Sequence, residues 1–482
     1  MILTFAHILE ATGGRQVSGS PGLSFAGVGI DSRTIRPEQL FVAIHGERHD
    51  GHAFIPVVVA KGVKGLVVAE AALAQLDPAS WADSGVAAVA VADTTRALGA
   101  LAAFQRNRVQ IPVVAITGSN GKTTTRRMTA LVFRQQFNTL ATRGNFNNEI
   151  GLPLTLFNLT VDHEAAVLEL GMNHPGEIDR LGAICRPTIG VITTVGPCHL
   201  EFLGSLAGVA QAKGELIHRV DPQGTVVLNR DDPHVAGLAR DCDRQVLFFG
   251  TTEACPVRAF HIREEGPGVA FDLVLPGGQV AVQLQTPGRF MVTNALAAAA
   301  AGHLAGVPIA RIKAGLEQFI PDKGRLHLLA TARQVHILDD TYNANPASMA
   351  AAIQTLTAVR GRQPGIIVVG DMLELGDLAE AYHRQIGAQA AASGIERLYA
   401  HGRFAEAVGL GAREAGLAQA AIFTGTKEAI AADLSGRLAP GHWVLVKGSR
   451  GMAMETVVAA IRRWADEPEG WADGPGASAY DQ

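Results

Sequence analysis

Aromatic residues and charge are both scarce in this sequence of 482 residues, at 5% and 18%. The 41 basic and 45 acidic residues give a net charge of −4, without the basic surplus that neutralises nucleic-acid phosphates. We therefore expect no nucleic-acid partner. Hydrophobic residues reach 48%, which excludes a mainly disordered chain. At about 100–200 residues per domain, the length predicts roughly three domains.

Cysteine is also scarce. The four cysteines form no CxxC pair, and their spacing suits neither a disulfide framework nor a zinc site. Thiols stay free in a reducing compartment, so we predict free thiols in a cytoplasmic protein. The four are Cys185, Cys198, Cys242 and Cys255.

Long apolar runs are rare, and the strongest candidate is residues 290–310, which contain no Asp, Glu, Lys or Arg. The run is rich in Ala and is interrupted by Asn294, His303 and Pro308. Small residues partition weakly into lipid, so this run predicts a packed helix and no membrane contact.

Short β-branched runs bounded by turn residues alternate with helical stretches, which predicts an α/β fold. We expect residues 1–108 to form a small α/β domain and residues 109–320 a doubly wound domain. The latter includes an antiparallel hairpin that turns at the Pro-Gly-Gly of residues 276–278. A second parallel unit is expected over 321–466. Residues 467–482 are acidic and rich in Gly, Ala and Pro, and predict a disordered tail.

The most specific motif joins a buried strand to a helix, and it runs Thr117-Gly118-Ser119-Asn120-Gly121-Lys122-Thr123-Thr124. In such a turn, backbone N–H groups and the helix N-terminus bind phosphate, the lysine reaches the β- and γ-phosphates, and the threonine can ligate Mg²⁺. The order is the short GxxGKT form, because Ile116 stands where the longer loop has Gly. The alternative is an ordinary Gly-rich turn. Gly-Lys-Thr after a strand favours a nucleoside triphosphate, and we expect ATP.

Polar residues follow three other strands, each with a structural alternative. Glu169 ends an apolar strand, where a hard oxygen ligand suits Mg²⁺, although a capping or surface role would explain it too. His199 follows the strand IGVITTV, and its position beside other candidate metal groups favours a ligand over a structural histidine. Asp340 ends a strand and could hold a ribose hydroxyl. Asn345 is also predicted to cap the helix that begins at Pro346.

Two further lysines lie in stretches with less specific signals. Lys213 has the composition of a solvated helix lysine, and its spacing assigns it no role. Lys447 opens the loop Lys-Gly-Ser-Arg, whose donors suit a carboxylate or phosphate, with a basic surface turn as the alternative.

Together these motifs resemble those of the Mur ligases, the ATP-dependent amide-forming enzymes of peptidoglycan synthesis. The resemblance covers nearly the whole chain. It rests on stretches in the same order: DSRTIRPEQLFVAIHGERHDGHAF, TGSNGKTTT, TRGNFNNEIGLPLTL, ELGMNHPGEI, HLEFLGSLAGVAQAKGE, DDTYNANPASM, VVGDMLELG and VKGSRGMAMETVV.

The resemblance implies a three-domain ligase. The N-terminal domain would bind the UDP end of a nucleotide-sugar peptide, the central P-loop domain ATP and two Mg²⁺, and the Rossmann-like C-terminal domain the incoming amine. DDTYNANPASM and VGDMLELG are closest to the members that add the last amino-acid unit. They imply D-alanyl-D-alanine and UDP-N-acetylmuramoyl-tripeptide as substrates, joined through an acyl phosphate, with lysine or diaminopimelate open as the third residue. We expect a monomer.

The resemblance also implies roles for individual residues. The catalytic groups would be Lys122, Glu169, His199, Lys213 and Arg325. Metal sites would use Thr123, Glu169, His199 and Lys213, the last as a carbamate. Nucleotide binding would use Gly118, Ser119, Asn120, Gly121, Lys122, Thr123, Thr124, Asn294, Arg325 and Asp340. Substrate binding would use Ser32, Arg33, Gly46, Glu47, Arg48, Asn145, Asn147, Asn148, Tyr342, Asn343, Asn345, Lys447, Ser449 and Arg450.

Two positions depart from the family pattern. Phe290 and Met291 stand where the adenine-side loop commonly has His and Asn, and Thr194 stands where Asn is frequent. Neither departure removes a phosphate or metal group. The alternatives are another Mur-family ligase or a folylpolyglutamate-type ligase on the same scaffold, and a P-loop binding protein without ligase chemistry.

Overall fold

The computed structural model describes residues 2–46, 49–265 and 268–466. The expected tail at 467–482, and the candidate residues Glu47 and Arg48, lie outside the described residues. The α/β fold is confirmed: three large sheets span residues 15–91, 113–284 and 327–447, each within one of the three expected domains.

The first sheet has five strands in the order β2-β7-β6-β5-β4, and β1 pairs with β3 beside it. Its inner strands are buried on both faces, as expected for parallel strands covered by helices. The elements are β1 (Leu3–Thr4), α1 (Phe5–Thr12), β2 (Arg15–Ser18), β3 (Ser24–Phe25), β4 (Val28–Gly29), β5 (Leu40–Val42), α2 (Ile55–Ala60), β6 (Gly65–Ala69), α3 (Pro78–Asp83), β7 (Ala87–Val91) and α4 (Thr94–Asn107).

The second sheet has nine strands in the order β16-β15-β14-β13-β12-β11-β8-β10-β9. Its elements are β8 (Val113–Thr117), α5 (Lys122–Arg134), β9 (Thr139–Ala141), α6 (Gly151–Leu156), β10 (Ala165–Glu169), α7 (Glu177–Cys185), β11 (Ile189–Ile192), α8 (Leu200–Leu203), α9 (Leu206–Arg219), β12 (Thr225–Asn229), α10 (Pro233–Gly237), β13 (Gln245–Gly250), β14 (Val257–Glu265), β15 (Gly268–Leu275), β16 (Gly278–Leu284), α11 (Phe290–Leu304) and α12 (Ile309–Glu317).

Strand β8 marks the switch point of this sheet. It pairs in parallel with β10 on one side and with β11 on the other, so the chain winds away from it in both directions. Open α/β sheets bind ligands at the carboxyl ends of the strands at such a point. Strands β15 and β16 form the expected antiparallel hairpin at the far edge.

Helix α11 accounts for the uncharged run. Every residue from Ala297 to Ala301 is fully buried, which confirms a packed helix. Small side chains let this helix pack closely against α5 and the sheet. No helix in the described part of the chain is long and apolar enough to cross a membrane.

The third sheet has six strands in the order β17-β18-β22-β19-β20-β21, all parallel except the edge strand β17. Its elements are β17 (His327–Ala330), β18 (His336–Asp340), α13 (Pro346–Arg360), β19 (Gly365–Gly370), α14 (Ala379–Ala392), β20 (Arg397–His401), α15 (Ala405–Glu414), β21 (Ile422–Thr424), α16 (Lys427–Ser435), β22 (Trp443–Lys447) and α17 (Glu455–Asp466). The four cysteines are free thiols, as predicted.

Candidate active site

Two glycines shape the turn between β8 and α5. Gly118 has φ +147° and Gly121 φ +81°. A Cβ at Gly118 would lie 1.9 Å from Thr193 Oγ1, and one at Gly121 would lie 2.2 Å from Asn294 Oδ1. Both positions therefore require glycine. No side chain caps the start of α5, so its first N–H groups are available to an anion.

Thr194 holds this turn from the neighbouring strand end. The Ser119 N–H donates to the Thr194 carbonyl at 2.7 Å, and the Asn120 N–H donates to the Thr194 hydroxyl at 3.0 Å. The departure from the family pattern at this position therefore still supplies a hydrogen-bond acceptor to the turn.

Lys122 folds back over the turn, where its Nζ donates to the Gly118 carbonyl at 2.7 Å. Burial lowers the pKa of Lys122, against the opposing attraction of Glu169. An anion bound in the turn would therefore stabilise the charged form of this desolvated ammonium.

Glu169 ends β10 and is 2% exposed. Its Oε1 accepts from the Thr123 hydroxyl at 3.1 Å and from the Asn147 amide at 2.8 Å. Its Oε2 lies 3.6 Å from the Arg126 Nε and has no hydrogen-bond partner in the described part of the chain. A buried carboxylate oxygen without a partner is costly, which argues for a cation ligand over the capping or surface alternative.

Lys213 lies on α9 and is 1% exposed, so the interpretation of a solvated helix lysine is wrong. The pKa of Lys213 is lowered to about 7, mainly by burial, with Cys198 opposing the shift and nearby Lys122 adding to it. The amine is therefore largely uncharged above neutral pH. Helical periodicity could not reveal this, because the side chain is covered by residues far along the sequence.

His199 stands at the start of α8 with φ +52°. Its Nδ1 lies 2.5 Å from Glu374 Oε2. This contact joins a loop of the central domain to a loop of the C-terminal domain. The hydrogen bond to His199 lowers the pKa of Glu374. Among the described residues, no group of three or more His, Cys, Asp and Glu side chains is assembled as a metal site.

The C-terminal domain contributes a buried ion pair. Asp340 ends β18, and its Oδ2 lies 2.5 Å from the Lys447 Nζ, which also donates to the Asn343 carbonyl at 2.8 Å. Lys447 is 2% exposed, so the alternative of a basic surface turn is wrong for this residue. Asp340 Oδ1 accepts from the Leu326 N–H at 3.0 Å.

Asn345 has two partners. Its side chain caps α13 with Pro346 at the first turn, as predicted, by accepting from the Ser348 N–H at 2.9 Å. Its amide also exchanges hydrogen bonds with the Asn120 amide, at 2.8 and 3.3 Å. The phosphate-binding turn is thereby tied directly to the C-terminal domain.

The ring of Tyr342 lies beside the guanidinium groups of two arginines. Its ring centroid lies 3.9 Å from the Arg325 guanidinium and 5.8 Å from that of Arg450. Arg450 also pairs with Glu455 at 3.1 Å. Ser449 is buried and donates to the Ala344 carbonyl, so it supports this loop from behind.

Most of these groups line one cavity of about 760 Å³, here called the central cavity. Phe290 and Met291 line it beside Asn294, whose Oδ1 accepts from the Thr125 hydroxyl at 3.2 Å. The other candidate residues that line it are Ser119, Asn120, Gly121, Lys122, Thr123, Thr124, Asn147, Asn148, Glu169, His199, Arg325, Asp340, Tyr342, Asn343, Asn345 and Lys447.

The remaining candidates lie elsewhere. Asn145 and Arg450 line a second cavity, and Lys213 and Ser449 are buried beneath the surface. Ser32, Arg33 and Gly46 belong to the first domain and line neither cavity; Arg33 pairs there with Asp31 at 2.7 Å.

Three residues near the site were not predicted from the sequence. Arg126 contacts Glu169 and Glu374 contacts His199, and both partners are distant in the sequence. Asp232 accepts from the Val195 N–H at 2.7 Å and caps α10. Its signal was present in the sequence, because it lies between a strand and a proline that opens a helix.

Three family models match the chain in order: the Mur ligase family catalytic domain over residues 24–106, the Mur ligase middle domain over 116–302, and the Mur ligase glutamate ligase domain over 324–450. A curated relative from Escherichia coli (strain K12), UDP-N-acetylmuramoyl-tripeptide–D-alanyl-D-alanine ligase, is 39% identical over 444 residues. This match covers 90% of this chain and 93% of the relative.

Solved structures agree. A crystal structure of MurF from Acinetobacter baumannii is 33% identical, has a TM-score of 0.87, and is matched over 96% of this chain and 99% of its own. The MurF ligase from Thermotoga maritima in complex with ADP is 26% identical, with a TM-score of 0.80 over 91% of this chain and 97% of its own. The chain belongs to the Mur ligase family.

Proposed function

We propose that this chain is an ATP-dependent ligase that joins D-alanyl-D-alanine to the terminal carboxylate of UDP-N-acetylmuramoyl-tripeptide. The observation that carries the proposal is the central cavity, lined both by Lys122 and Thr123 of the phosphate-binding turn and by Asp340 and Lys447 of the C-terminal domain. A cavity shared in this way can hold a triphosphate against a second substrate, which is the positioning that amide formation requires.

The reaction must bring two anions together. The tripeptide carboxylate oxygen bonds to the γ-phosphorus of ATP, and ADP leaves with the electrons of the broken P–O bond. The amine of the dipeptide then attacks the acyl carbon, phosphate leaves, and the amine proton passes to solvent. Lys122, Arg325 and the N-terminus of α5 supply positive charge where the phosphates would lie.

Thr123 and Glu169 fit a divalent cation. The unpartnered, buried Glu169 Oε2 and the adjacent Thr123 hydroxyl are hard oxygen donors, which Mg²⁺ prefers. Bound Mg²⁺ would offset phosphate charge and polarise the phosphoryl group. We assign His199 as a further group of the metal site. The contact between its Nδ1 and Glu374 orients its ring.

Lys213 fits a carbamate. Its buried amine has a pKa lowered to about 7 by desolvation, so the nitrogen lone pair is available at neutral to basic pH. The amine nitrogen bonds to the carbon of CO₂ and releases one proton, which converts the side chain into an anion. The negative charge of a carbamate on Lys213 would offset the positive charge of Lys122 and a metal ion. A neutral amine has no charge with which to do so.

The other candidate residues keep their proposed roles. Ser32, Arg33 and Gly46 would bind the UDP end, and Asn145, Asn147 and Asn148 the peptide portion, in a monomeric cytoplasmic enzyme. The free thiols of the chain suit a reducing compartment.

The test is phosphate release from purified protein in a panel of acceptors and amine donors. Release that requires ATP, the UDP-muramoyl tripeptide and D-alanyl-D-alanine together supports the proposal. Release stimulated by a free amino acid instead would identify a different Mur-family ligase. Nucleotide binding without acceptor-dependent release would exclude ligase activity.

A further inference from the structure

A second cavity of about 620 Å³ opens beside the central cavity. Thr123, Arg325 and Tyr342 line both, so one molecule can occupy the two at once. We call the second space the arginine cavity, because its lining includes Arg126, Arg127, Arg134, Arg143, Arg325 and Arg450.

The charge of the arginine cavity is only partly compensated, since Arg126 lies near Glu169 and Arg450 pairs with Glu455, neither of which lines the cavity. Lys323 adds a further cation, and Asp322 is the one acid among the described lining residues. Asp322 is already paired with Arg127 at 3.0 Å. Arg134 and Arg143 have no acidic partner in the described part of the chain. Clustered cations in a concave site attract an anionic ligand.

Arg126 is the cation of the arginine cavity that lies beside Glu169, a lining residue of the central cavity. It is 8% exposed, and its Nε has no hydrogen-bond partner among the described residues. Its nearest anion, Glu169, lies 3.6 Å away and also contacts Thr123 and Asn147. The terminal nitrogens of Arg126 make no hydrogen bond to a described residue and are not buried, so its guanidinium offers these donors to a ligand carboxylate in the cavity.

The spacing suits a peptide carboxylate. Arg126 lies four residues after Lys122 on α5, about 6 Å along the helix axis. A dipeptide spans about 7 Å from amine to carboxylate in an extended conformation. Because Thr123, Arg325 and Tyr342 line both cavities, a peptide with one end in the central cavity can place a carboxylate in the arginine cavity.

We propose that the arginine cavity binds a free carboxylate of the peptide substrates, and that Arg126 is a specificity-determining residue that recognises it. This inference rests on the proposed function. Two substrates could supply the carboxylate: the C-terminus of the incoming dipeptide, or the side chain of diaminopimelate in the acceptor. The same cavity would disfavour the ammonium of an acceptor lysine.

The test compares substrates that differ by one carboxylate. Phosphate release is measured with D-alanyl-D-alanine against D-alanyl-D-alaninamide, and with a diaminopimelate acceptor against a lysine acceptor. The wild-type enzyme is expected to prefer at least one of the carboxylate-bearing substrates by about tenfold to hundredfold in kcat/KM, the range for a hydrogen bond to a charged group.

Arg126→Gln is expected to remove that preference, mainly by raising the KM of the substrate that carries the carboxylate. Arg126→Lys is expected to retain part of it, since lysine keeps the charge without the bidentate geometry. Arg143→Gln removes one positive charge from the lining of the cavity. Because Arg143 is exposed, this substitution does not alter the buried core. Arg311→Gln removes the same charge from α12, outside the cavity, and is expected to leave the preference unchanged.

The substrate whose preference collapses in Arg126→Gln is the source of the carboxylate. A wild-type enzyme without either preference overturns the inference. So does an Arg126→Gln enzyme that keeps both preferences, or one in which only the KM of ATP rises; in these cases the proposed function stands. A wild-type enzyme that releases no phosphate with any pair refutes the proposed function, and this inference with it.

Discussion

Replacing Lys213 with methionine should stabilise the protein while abolishing its activity. Lys213 is buried, and its pKa falls from 10.5 to about 7 on folding because the charged form loses its water. Between these two values the unfolded chain holds a proton that the folded chain does not. That proton favours unfolding, so Lys213 makes the folded state less stable as the pH falls from 10.5 towards 7.

The shift sets the size of the effect. Linkage gives a destabilisation of about 4 kcal/mol at pH 7 and about 2 kcal/mol at pH 9. Methionine has a similar length and no charge, and such a replacement costs less than about 1.5 kcal/mol in packing. Lys213→Met should therefore be more stable than wild type at pH 7, with an advantage that shrinks by about 2 kcal/mol at pH 9.

Urea unfolding of both proteins at pH 7 and pH 9, in buffers without metal or carbonate, measures this difference. Lys313→Met, a partly exposed lysine of α12, is the matched control and should show no comparable pH dependence. A difference between Lys213→Met and wild type that does not change with pH would refute the burial argument. In phosphate-release assays, Lys213→Met should be inactive, and wild type should lose activity when CO₂ is removed and regain it with bicarbonate. Full activity of the variant would exclude the carbamate role.

Three further predictions follow from the same structure. Gly118→Ala should weaken ATP binding at least about tenfold in calorimetry, because it adds strain at φ +147° and a Cβ 1.9 Å from a threonine hydroxyl; unchanged affinity would contradict the required geometry. Native thiol labelling at pH 8 should modify Cys242 and spare Cys185, whose pKa is raised to about 12 by burial, and rapid loss of both thiols would refute this. Asp340→Asn should destabilise the C-terminal domain by about 3–5 kcal/mol in thermal or urea unfolding, because it leaves the Lys447 ammonium buried without its anion, and a loss below 1 kcal/mol would mean that the pair is not desolvated as described.

The phosphate-binding turn was predictable because its signals are local. A buried strand, two glycines and a helix that begins at Lys122 are all set within about twenty residues of sequence. Glu169 and Asp340 were found for a related reason, since each is the last residue of a strand and parallel strands end at one edge of a sheet.

The environment of each side chain was not predictable in this way. Lys213 has an ordinary helix sequence around it, and only the packing of α9 reveals a buried amine. His199 is paired with Glu374, which lies 175 residues away along the chain. No motif spacing relates such partners.

The sequence by itself therefore determined the α/β class, the phosphate-binding turn, the strand-end carboxylates and the resemblance to the Mur ligases. These depend on neighbours within a few residues, where periodicity and turn chemistry act. Tertiary structure alone decided which groups are desolvated and which charges meet: the buried Lys213, the Asp340–Lys447 pair and the arginine cavity around Arg126. Burial and Coulomb interactions sum over every residue nearby in space, and most of those residues are distant in the sequence.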